Sequence, residues 1–159
     1  VLARFPIPRS KADLDTLIER MMAEGKEGVR EPWAVIDLRT GECVGSTSYL
    51  DLKTELKTME IGSTFYGEVA RRTGINTETK LLLLTEGFDN RGYERIQLKA
   101  DNLNERSLAA IERIGAKKEG VLRNHFIRRD GSRRDTVMYS IIKSEWPVVK
   151  NRLQKLLNR

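Results

Sequence analysis

Residues 71–78 read Arg-Arg-Thr-Gly-Ile-Asn-Thr-Glu and are the most informative part of the chain. A strand-like run at 59–66 comes before them, and a helix-like run at 77–89 follows. The first backbone N–H groups of a helix lack partners within the helix and carry partial positive charge, so a basic turn that leads a strand into a helix favours an anion site. Gly74 leaves room for a phosphate to approach the backbone. The stretch therefore predicts a phosphate or pyrophosphate site.

Taken alone, this turn leaves an alternative open, in which Gly74 merely permits a tight turn before the helix. Two other nucleotide-binding motifs are excluded. A Walker-type P-loop needs G-x-x-x-x-G-K-S/T, which does not occur in the chain, and the dinucleotide fingerprint needs three glycines where this turn has one.

The composition is that of an ordinary soluble protein. At 159 residues the chain has the length of one domain, so we expect residues 1–159 to form a single domain. With 39% hydrophobic and 33% charged residues, it contains no apolar run near the ~18 residues that span a bilayer. Cys43 is the only cysteine, which excludes a disulfide framework and favours the reducing cytoplasm. One histidine and one cysteine do not make a typical zinc site, so we expect no metal.

The net charge of +6 favours polyanionic partners, either phosphorylated cofactors or nucleic acid, and does not choose between them. A rival interpretation is a non-catalytic basic module that binds RNA or the ribosome through the arginine pairs 128–129 and 133–134. These pairs are otherwise expected to form a solvated hairpin tip. The chain lacks the aromatic and basic stripe that stacks bases, which argues against direct nucleic-acid binding. The sequence opens at Val1 without an initiator methionine, so we expect part of the natural N-terminus to lie outside it.

The remaining pattern predicts an α/β domain with a mixed, mostly antiparallel sheet whose strands are separated by helices. A capping signal at Ser10 opens the first helix, and Gly115 ends a later one. The other predicted elements are a hairpin of 33–38 and 43–49, strands at 95–100, 121–127 and 136–142, and helices at 105–114 and from Ser144.

A second motif, Asp-Asn-Leu-Asn-Glu-Arg-Ser at 101–107, follows a predicted strand and opens a helix. Three further segments come after it in order: Glu-Gly-Val-Leu-Arg at 119–123, Asp-Gly at 130–131 and Asp-Thr-Val-Met-Tyr-Ser at 135–140. With the turn at 71–78 upstream, nearly the whole chain resembles the GNAT superfamily of N-acetyltransferases. Within it, the chain is most similar to the branch that includes the Rim-type ribosomal-protein N-terminal (alanine/serine) acetyltransferases.

The resemblance implies the GNAT fold, in which the sheet is splayed between its fourth and fifth strands and acetyl-CoA lies in the V-shaped opening. In this family the backbone amides of a Q/R-x-x-G-x-G/A turn bind the pyrophosphate. Arg71 and Gly74 match that pattern, whereas Asn76 replaces its small final residue. The residues that the resemblance implies for acetyl-CoA binding are Arg71, Arg72, Thr73, Gly74, Ile75, Asn76, Thr77, Asn104 and Ser107.

The resemblance implies specific roles for two of these residues. Asn104 would hydrogen-bond the pantetheine arm, and Ser107 would lie near the sulfur and protonate the departing thiolate. The alternative for Asn104 is a helix N-cap, and both roles can coexist because a cap uses only the side-chain oxygen. The alternative for Ser107 is a first-turn serine without a role.

Transfer of an acetyl group to an amine needs a base, because most amines are protonated near pH 7. Glu60 is the leading candidate, since it lies on the strand before the turn, where some GNAT members carry their base. Strand alternation places Glu60 and Gly62 on the face opposite Met59 and Ile61. The alternative is a solvated strand carboxylate.

Tyr139 and His125 are further candidates for contact with the acceptor substrate. Tyr139, on a late strand, either lines the acceptor channel or packs. We expect His125 at the surface or at the edge of the substrate site rather than as a catalytic base, because nothing nearby in the sequence resembles a carboxylate motif that would orient it.

These observations predict a cytoplasmic, acetyl-CoA-dependent N-acetyltransferase in which the amine attacks the thioester directly in a ternary complex. Glu60 would assist deprotonation, and Ser107 would assist departure of the thiolate. The acceptor is left open between a protein N-terminal amine, such as that of a ribosomal protein, and a small amine, amino acid or antibiotic. No membrane partner is expected, and formation of a homodimer is left open.

Overall fold

The computed structural model describes residues 10–128 and 130–158. Its helices and strands are α1 (Lys11–Lys26), β1 (Arg30–Asp37), β2 (Glu42–Lys53), β3 (Thr58–Tyr66), α2 (Ile75–Thr85), β4 (Arg95–Asp101), α3 (Glu105–Arg113), β5 (Lys117–Ile127), β6 (Arg133–Ile142) and α4 (Trp146–Leu157). A 3-10 turn at Glu68–Ala70 precedes α2, and a π-helical turn at Glu86–Asn90 follows it. Across the described residues, every helix is too short or too polar to cross a bilayer.

The strands of the described residues form one mixed sheet in the order β1-β2-β3-β4-β6-β5. Neighbouring strands pair antiparallel, except for β3 and β4, which pair parallel. A parallel pair needs a crossover connection, and α2 supplies it. The predicted α/β fold with a mixed, mostly antiparallel sheet is confirmed.

The sheet opens between β3 and β4. Their parallel register runs from Thr58 opposite Arg95 to Glu60 opposite Gln97 and ends there, although β3 continues to Tyr66. Beyond that point β3 stays paired with β2, and β4 stays paired with β6. The expected opening therefore lies between the third and fourth of the described strands. Counted over the described residues, it comes one strand earlier than the resemblance implies.

The hydrophobic core lies between one face of the sheet and the helices α2, α3 and α4. Its buried members are Tyr49, Met59, Ile61, Ile96, Leu98, Val137, Tyr139 and Ile141 from the strands, and Leu83, Leu84, Phe88, Trp146, Val149 and Leu153 from helical segments. The strands contribute alternate residues, as in a sheet that buries one face. Glu60, between Met59 and Ile61, consequently lies on the other face.

The helix predicted at 77–89 changes geometry before its end. α2 is 11 residues long and passes into the π-helical turn. Gly87, within this turn, packs closely on the core, where a Cβ would lie 2.4 Å from Cε of Met59 and 2.5 Å from Cδ1 of Ile96. Only glycine lets the backbone come this close to the sheet. Strands β5 and β6 also begin earlier than predicted, because charged residues at their starts take part in the ladder.

Candidate active site

The turn at 71–78 and the start of α3 lie at the same edge of the sheet. The turn follows the carboxyl end of β3, and residues 102–104 follow the carboxyl end of β4. Because β3 and β4 run parallel, their carboxyl ends meet at one edge, which is where open α/β sheets commonly bind ligands. The two sequence motifs are thus brought together beside the opening.

Thr73 holds the shape of the turn. Its hydroxyl donates to the backbone oxygen of Ala70 at 2.8 Å and accepts from the N–H of Ile75 at 3.2 Å. Arg72 has a φ of 60°, a left-handed conformation that costs energy for a residue other than glycine and that clusters at functional sites. The turn is therefore shaped by a hydroxyl and a left-handed arginine rather than by its glycine.

Gly74 is exposed and has no structural need to be glycine. Its φ of −69° and ψ of −14° are open to any residue. A Cβ at this position would lie 3.6 Å from Cδ2 of Leu157, which is an ordinary van der Waals contact. The backbone conformation of Gly74 therefore does not by itself require glycine. A bare backbone at this exposed point instead leaves space for a ligand.

The start of α2 offers two unused N–H groups. The N–H of Ile75 is bound within the turn, and that of Glu78 donates to the backbone oxygen of Gly74 at 2.9 Å. Within the part of the chain that the structure describes, no hydrogen bond uses the N–H of Asn76 or of Thr77. The side chain of Thr77 is buried, at 2% exposure, so its backbone is the part left for a ligand.

Two arginines add positive charge at the rim of the turn. Arg71 and Arg72 are exposed, and Nη1 of Arg71 lies 3.5 Å from Oε1 of Glu68, a side chain that is itself 90% exposed. An exposed pair of this kind is weak, so Arg71 can turn towards an anionic ligand. A bare backbone, two free N–H groups and two cations together fit a phosphorylated ligand.

Asn104 caps α3, as predicted. Its Oδ1 accepts from the N–H of Ser107 at 3.2 Å, which leaves the side-chain NH2 group for a ligand. Ser107 is half-buried in the first turn of α3. The roles of Asn104 and Ser107 towards acetyl-CoA stay predictions.

A buried ion pair holds the loop between β4 and α3. The carboxylate of Asp101 accepts from the N–H of Leu103 at 2.9 Å and from two nitrogens of Arg128 at 2.8 Å each. Burial would raise the pKa of Asp101, but the bonds from Arg128 and Leu103 lower it below its usual range. The solvated hairpin tip is a wrong prediction for Arg128 and Arg134, whose side chains are 9% and 10% exposed. Arg129 lies outside the described residues.

Glu60 is buried at the point where β3 leaves β4. Its side chain is 3% exposed, so the alternative of a solvated strand carboxylate is wrong. Oε2 accepts from Nζ of Lys99 at 2.5 Å. Oε1 lies over Gly62, two residues further along the strand, since a Cβ added to Gly62 would be only 2.7 Å from this oxygen. Gly62 thus leaves the room in which the carboxylate points towards the end of β3 that lies beyond its pairing with β4.

Lys99 is a residue that sequence reasoning misses. Its Nζ also lies 5.9 Å from the ring centroid of Phe126, and Cζ of Arg134 lies 5.3 Å from the same ring. Strand alternation puts Lys99 on the polar face of β4, and that is the only local signal. Its partner lies 39 residues away and is set by the parallel register, which no local pattern encodes.

A bulge bends β3 beside the opening. Ser63 has a φ of 49°, and the register with β2 shifts near it. Nη2 of Arg30 donates to Oγ of Ser63 at 3.5 Å, and Nε of Arg30 lies 2.9 Å from Oε2 of Glu24. Bulges are common next to active sites, where they re-aim a strand. The end of α1 is thereby connected to the part of β3 that lies beyond its pairing with β4.

A buried lysine lies behind this part of β3. Nζ of Lys80 donates to Oγ1 of Thr64 at 2.8 Å, and that oxygen lies 2.9 Å from Oγ1 of Thr47. The Thr47 hydroxyl in turn donates to the backbone oxygen of Gly62 at 3.4 Å. Lys80 is 6% exposed, and burial lowers its pKa to about 7. A chain of hydrogen bonds therefore connects α2 to the strand that carries Glu60.

The two acceptor candidates from the sequence lie apart from Glu60 or at the surface. Tyr139 is buried in the core, on the other face of the sheet, and its hydroxyl donates to Oε1 of Glu112 at 2.8 Å. Burial, together with Glu112, raises the pKa of Tyr139 to about 12. Tyr139 therefore packs and does not line an acceptor channel. His125 is exposed on β5, with its ring centroid 4.1 Å from that of Phe126.

Residues 2–117 match the family model described as an acetyltransferase (GNAT) domain. The chain belongs to the GNAT acetyltransferase family. The "Putative ribosomal N-acetyltransferase YdaF" of Bacillus subtilis (strain 168) is 33% identical over 109 residues, which are 69% of this chain and 58% of that protein. A GCN5-related N-acetyltransferase from Brucella melitensis has a TM-score of 0.87 at 31% identity, covering 94% of this chain and 66% of that one. Mycobacterium smegmatis RimJ in complex with CoA-disulfide has a TM-score of 0.76 at 24% identity, covering 91% of this chain and 68% of that one.

Membership of the GNAT family confirms the resemblance seen in the sequence at the level of the family. The chain spans less than two thirds of the length of the curated relatives that it matches, between 58% and 66%. The family match runs from residue 2 to Lys117, the first residue of β5, and includes both sequence motifs.

Proposed function

We propose that this GNAT chain transfers the acetyl group of acetyl-CoA to a primary amine, by direct attack of the amine in a ternary complex. The observation that carries the proposal is the placement of an anion-binding turn and a buried carboxylate at one opening of the sheet. The turn follows β3, and Glu60 lies on β3 at the point where the opening begins. A phosphorylated donor and a base for the acceptor would therefore meet at the opening.

The donor would be held by the turn and by the start of α3. The N–H groups of Asn76 and Thr77, with the side chains of Arg71 and Arg72, suit a pyrophosphate group. The side-chain NH2 of Asn104 suits a carbonyl oxygen of the pantetheine arm. RimJ of M. smegmatis, which shares the fold, was solved with CoA-disulfide, and this supports a coenzyme A donor here.

Acetyl-CoA supplies the acetyl group as a thioester. A protonated acceptor amine loses two protons overall, one to solvent and one to the CoA thiol. We assign the first to Oε1 of Glu60, the oxygen that Lys99 does not bind, because its removal frees the lone pair of the amine nitrogen. The new C–N bond forms as the C–S bond breaks. The hydroxyl of Ser107 gives a proton to the departing sulfur and regains one from the amine nitrogen, so that the second amine proton ends on the CoA thiol.

For the acceptor we propose a protein N-terminal amine, such as that of a ribosomal protein. One related protein supports a ribosomal target: YdaF, by the words of its name, a putative ribosomal N-acetyltransferase. A small amine, amino acid or antibiotic stays the alternative within the same chemistry.

Two measurements test the proposal. Calorimetric titration with acetyl-CoA and with CoA should show saturable binding. CoA release should then follow addition of peptides that begin with unblocked alanine or serine, while the same peptides with an N-acetyl group serve as matched controls. No binding at millimolar acetyl-CoA would contradict the enzyme. Binding with transfer only to small amines would keep the acetyl transfer and overturn the N-terminal acceptor.

A further inference from the structure

The ion pair between Glu60 and Lys99 crosses the opening of the sheet. Glu60 lies on β3 and Lys99 on β4, and the last residue pair between these strands is Glu60 opposite Gln97. Lys99 comes two residues after Gln97, on the same face and roughly 6–7 Å further along β4. The 2.5 Å contact between Nζ and Oε2 is thus made beyond the end of the ladder, from one diverging strand to the other.

Burial makes this contact decisive for the position of the carboxylate. The side chains of Glu60 and Lys99 are 3% and 18% exposed. A buried carboxylate is strongly biased towards its charged partner, because solvent does not replace that partner. The ring of Phe126 lies 5.9 Å from Nζ of Lys99 and adds a cation–π attraction on the lysine's other side. Lys99 is therefore itself held in place.

The two oxygens of Glu60 consequently have different surroundings. Oε2 is bound by Lys99, whereas Oε1 lies over Gly62, 2.7 Å from the position of an added Cβ. Cδ1 of Leu50 closes the same space, 2.9 Å from that Cβ position. With Oε2 held by Lys99 of β4 and no side chain at Gly62 beneath Oε1, the carboxylate is directed towards the end of β3 that lies beyond its pairing with β4.

From this geometry we propose that Lys99 is a positioning residue for acetyl transfer: it holds Oε2 of Glu60 from the opposite strand and so directs Oε1 at the acceptor amine. The inference rests on the proposed function of this site and adds a residue that neither sequence motif contains. Lys99 acts through Glu60 and does not itself exchange protons with the substrates. Its removal should lower the rate only as long as Glu60 is a carboxylate.

A double-mutant cycle tests this dependence, with kcat and KM measured on the unblocked alanine and serine peptides. Lys99→Met should lower kcat about tenfold or more while the Kd of acetyl-CoA changes less than about twofold. Lys99→Arg keeps the charge and should stay within about threefold of the wild type. In the background of Glu60→Gln, Lys99→Met should cost no more than about twofold. Equal losses in both backgrounds, or no loss in the wild type, would overturn the proposal.

The matched control is Lys143→Met. Lys143 pairs with Glu94 at 3.1 Å, and both side chains are about half exposed, so this substitution removes a lysine–glutamate pair away from the opening. It should leave kcat and the melting temperature near the wild-type values. A fall in melting temperature for Lys99→Met without a fall in kcat of the folded protein would show a purely structural role and would also overturn the proposal.

A second readout does not depend on the acceptor. Crystal structures of wild type, Lys99→Arg and Lys99→Met with CoA should show Oε1 of Glu60 over Gly62 in the first two and displaced in the third. If the side chain of Glu60 has the same position in Lys99→Met as in the wild type, the positioning role is contradicted, even if neither peptide is acetylated. Failure of the wild type to bind acetyl-CoA would instead count against the proposed function, so the two failures are distinguishable.

Discussion

The turn at 71–78 and the Glu60–Lys99 pair lie at the same opening but are built from different parts of the chain. The turn presents backbone N–H groups and exposed arginines, all within one short stretch of sequence. The pair consists of two side chains that are 3% and 18% exposed and 39 residues apart. Binding by backbone N–H groups requires free space around the backbone, whereas the function of a side-chain pair requires those particular chemical groups. Substitutions at the two sites should therefore fail in different ways.

The largest effect is expected at the side-chain site. Glu60→Gln keeps the shape of the residue but removes the base, so kcat/KM should fall by ~10²-fold or more while the Kd of acetyl-CoA stays within about twofold. Steady-state CoA release and calorimetry measure the two quantities. Glu55→Gln, at an exposed glutamate before β3, is the matched control and should be silent. A near-normal rate for Glu60→Gln would remove Glu60 from the role of base.

A substitution in the turn at 71–78 should lower the affinity for acetyl-CoA. Gly74→Val fills the space of the ligand, so the Kd of acetyl-CoA should rise by about tenfold or more, which corresponds to about 1.4 kcal/mol. The melting temperature should hold, because the added Cβ meets only Cδ2 of Leu157 at 3.6 Å. Gly120→Val serves as the control, since nothing lies within 4 Å of a Cβ there. Unchanged affinity for Gly74→Val would show that the turn does not bind the donor.

Ser107 lies at the start of α3, where we propose that acetyl-CoA binds. Its substitution should nevertheless slow the chemical step rather than weaken the binding of acetyl-CoA. Ser107→Ala should lower kcat by up to about tenfold with little change in the Kd of acetyl-CoA. The effect is moderate because a thiol with a pKa near 8.5 is a good leaving group and water can also protonate it. Single-turnover kinetics separate the chemical step from binding. A pure binding defect would reassign Ser107 to the donor site.

The smallest effect is expected behind the opening, at Lys80. Burial lowers the pKa of Lys80 to about 7, while an unfolded lysine titrates near 10.4. Between these values the unfolded chain binds the extra proton, so the free energy of unfolding rises with pH, by about 1 kcal/mol from pH 7 to pH 8. Lys80→Met should lack this increment, and urea unfolding of both proteins at the two pH values measures it. Parallel pH dependence in the two proteins would contradict the lowered pKa.

The same contrast explains what the sequence reveals. The cap at Asn104 and the anion turn depend on local backbone chemistry, and the residues that make them stand side by side. The capping box at Ser10 is confirmed for the same reason, with Oγ accepting from the N–H of Asp13 at 3.1 Å. Helix and strand types follow from periodicity, and the family resemblance adds their order. The fold and the helix cap could therefore be predicted from the sequence, whereas binding of the donor by the turn stays a prediction.

Contacts between side chains on different strands of the sheet could not be predicted from the sequence. The pairing of Glu60 with Lys99 needs the parallel register, and a shift by one residue would put Lys99 on the core face. Tyr139 was a candidate for the acceptor because strand alternation gives two faces without saying which one packs on helices. The close approach of Gly87 to Met59 in the π-helical turn after α2 is likewise a property of the packed core.

The buried pair of Asp101 and Arg128 has a consequence for recombination within the family. It joins the loop that opens α3 to the hairpin of β5 and β6, 27 residues later in the chain. A chimera whose crossover falls between these two positions takes the carboxylate from one parent and the guanidinium from the other. Where the second parent lacks both Arg128 and Arg134, which pair with Asp101 at 2.8 and 3.7 Å, the carboxylate is left buried without a counter-ion, at a cost of several kcal/mol. The two segments therefore form one inheritable unit, although they are separate in the sequence.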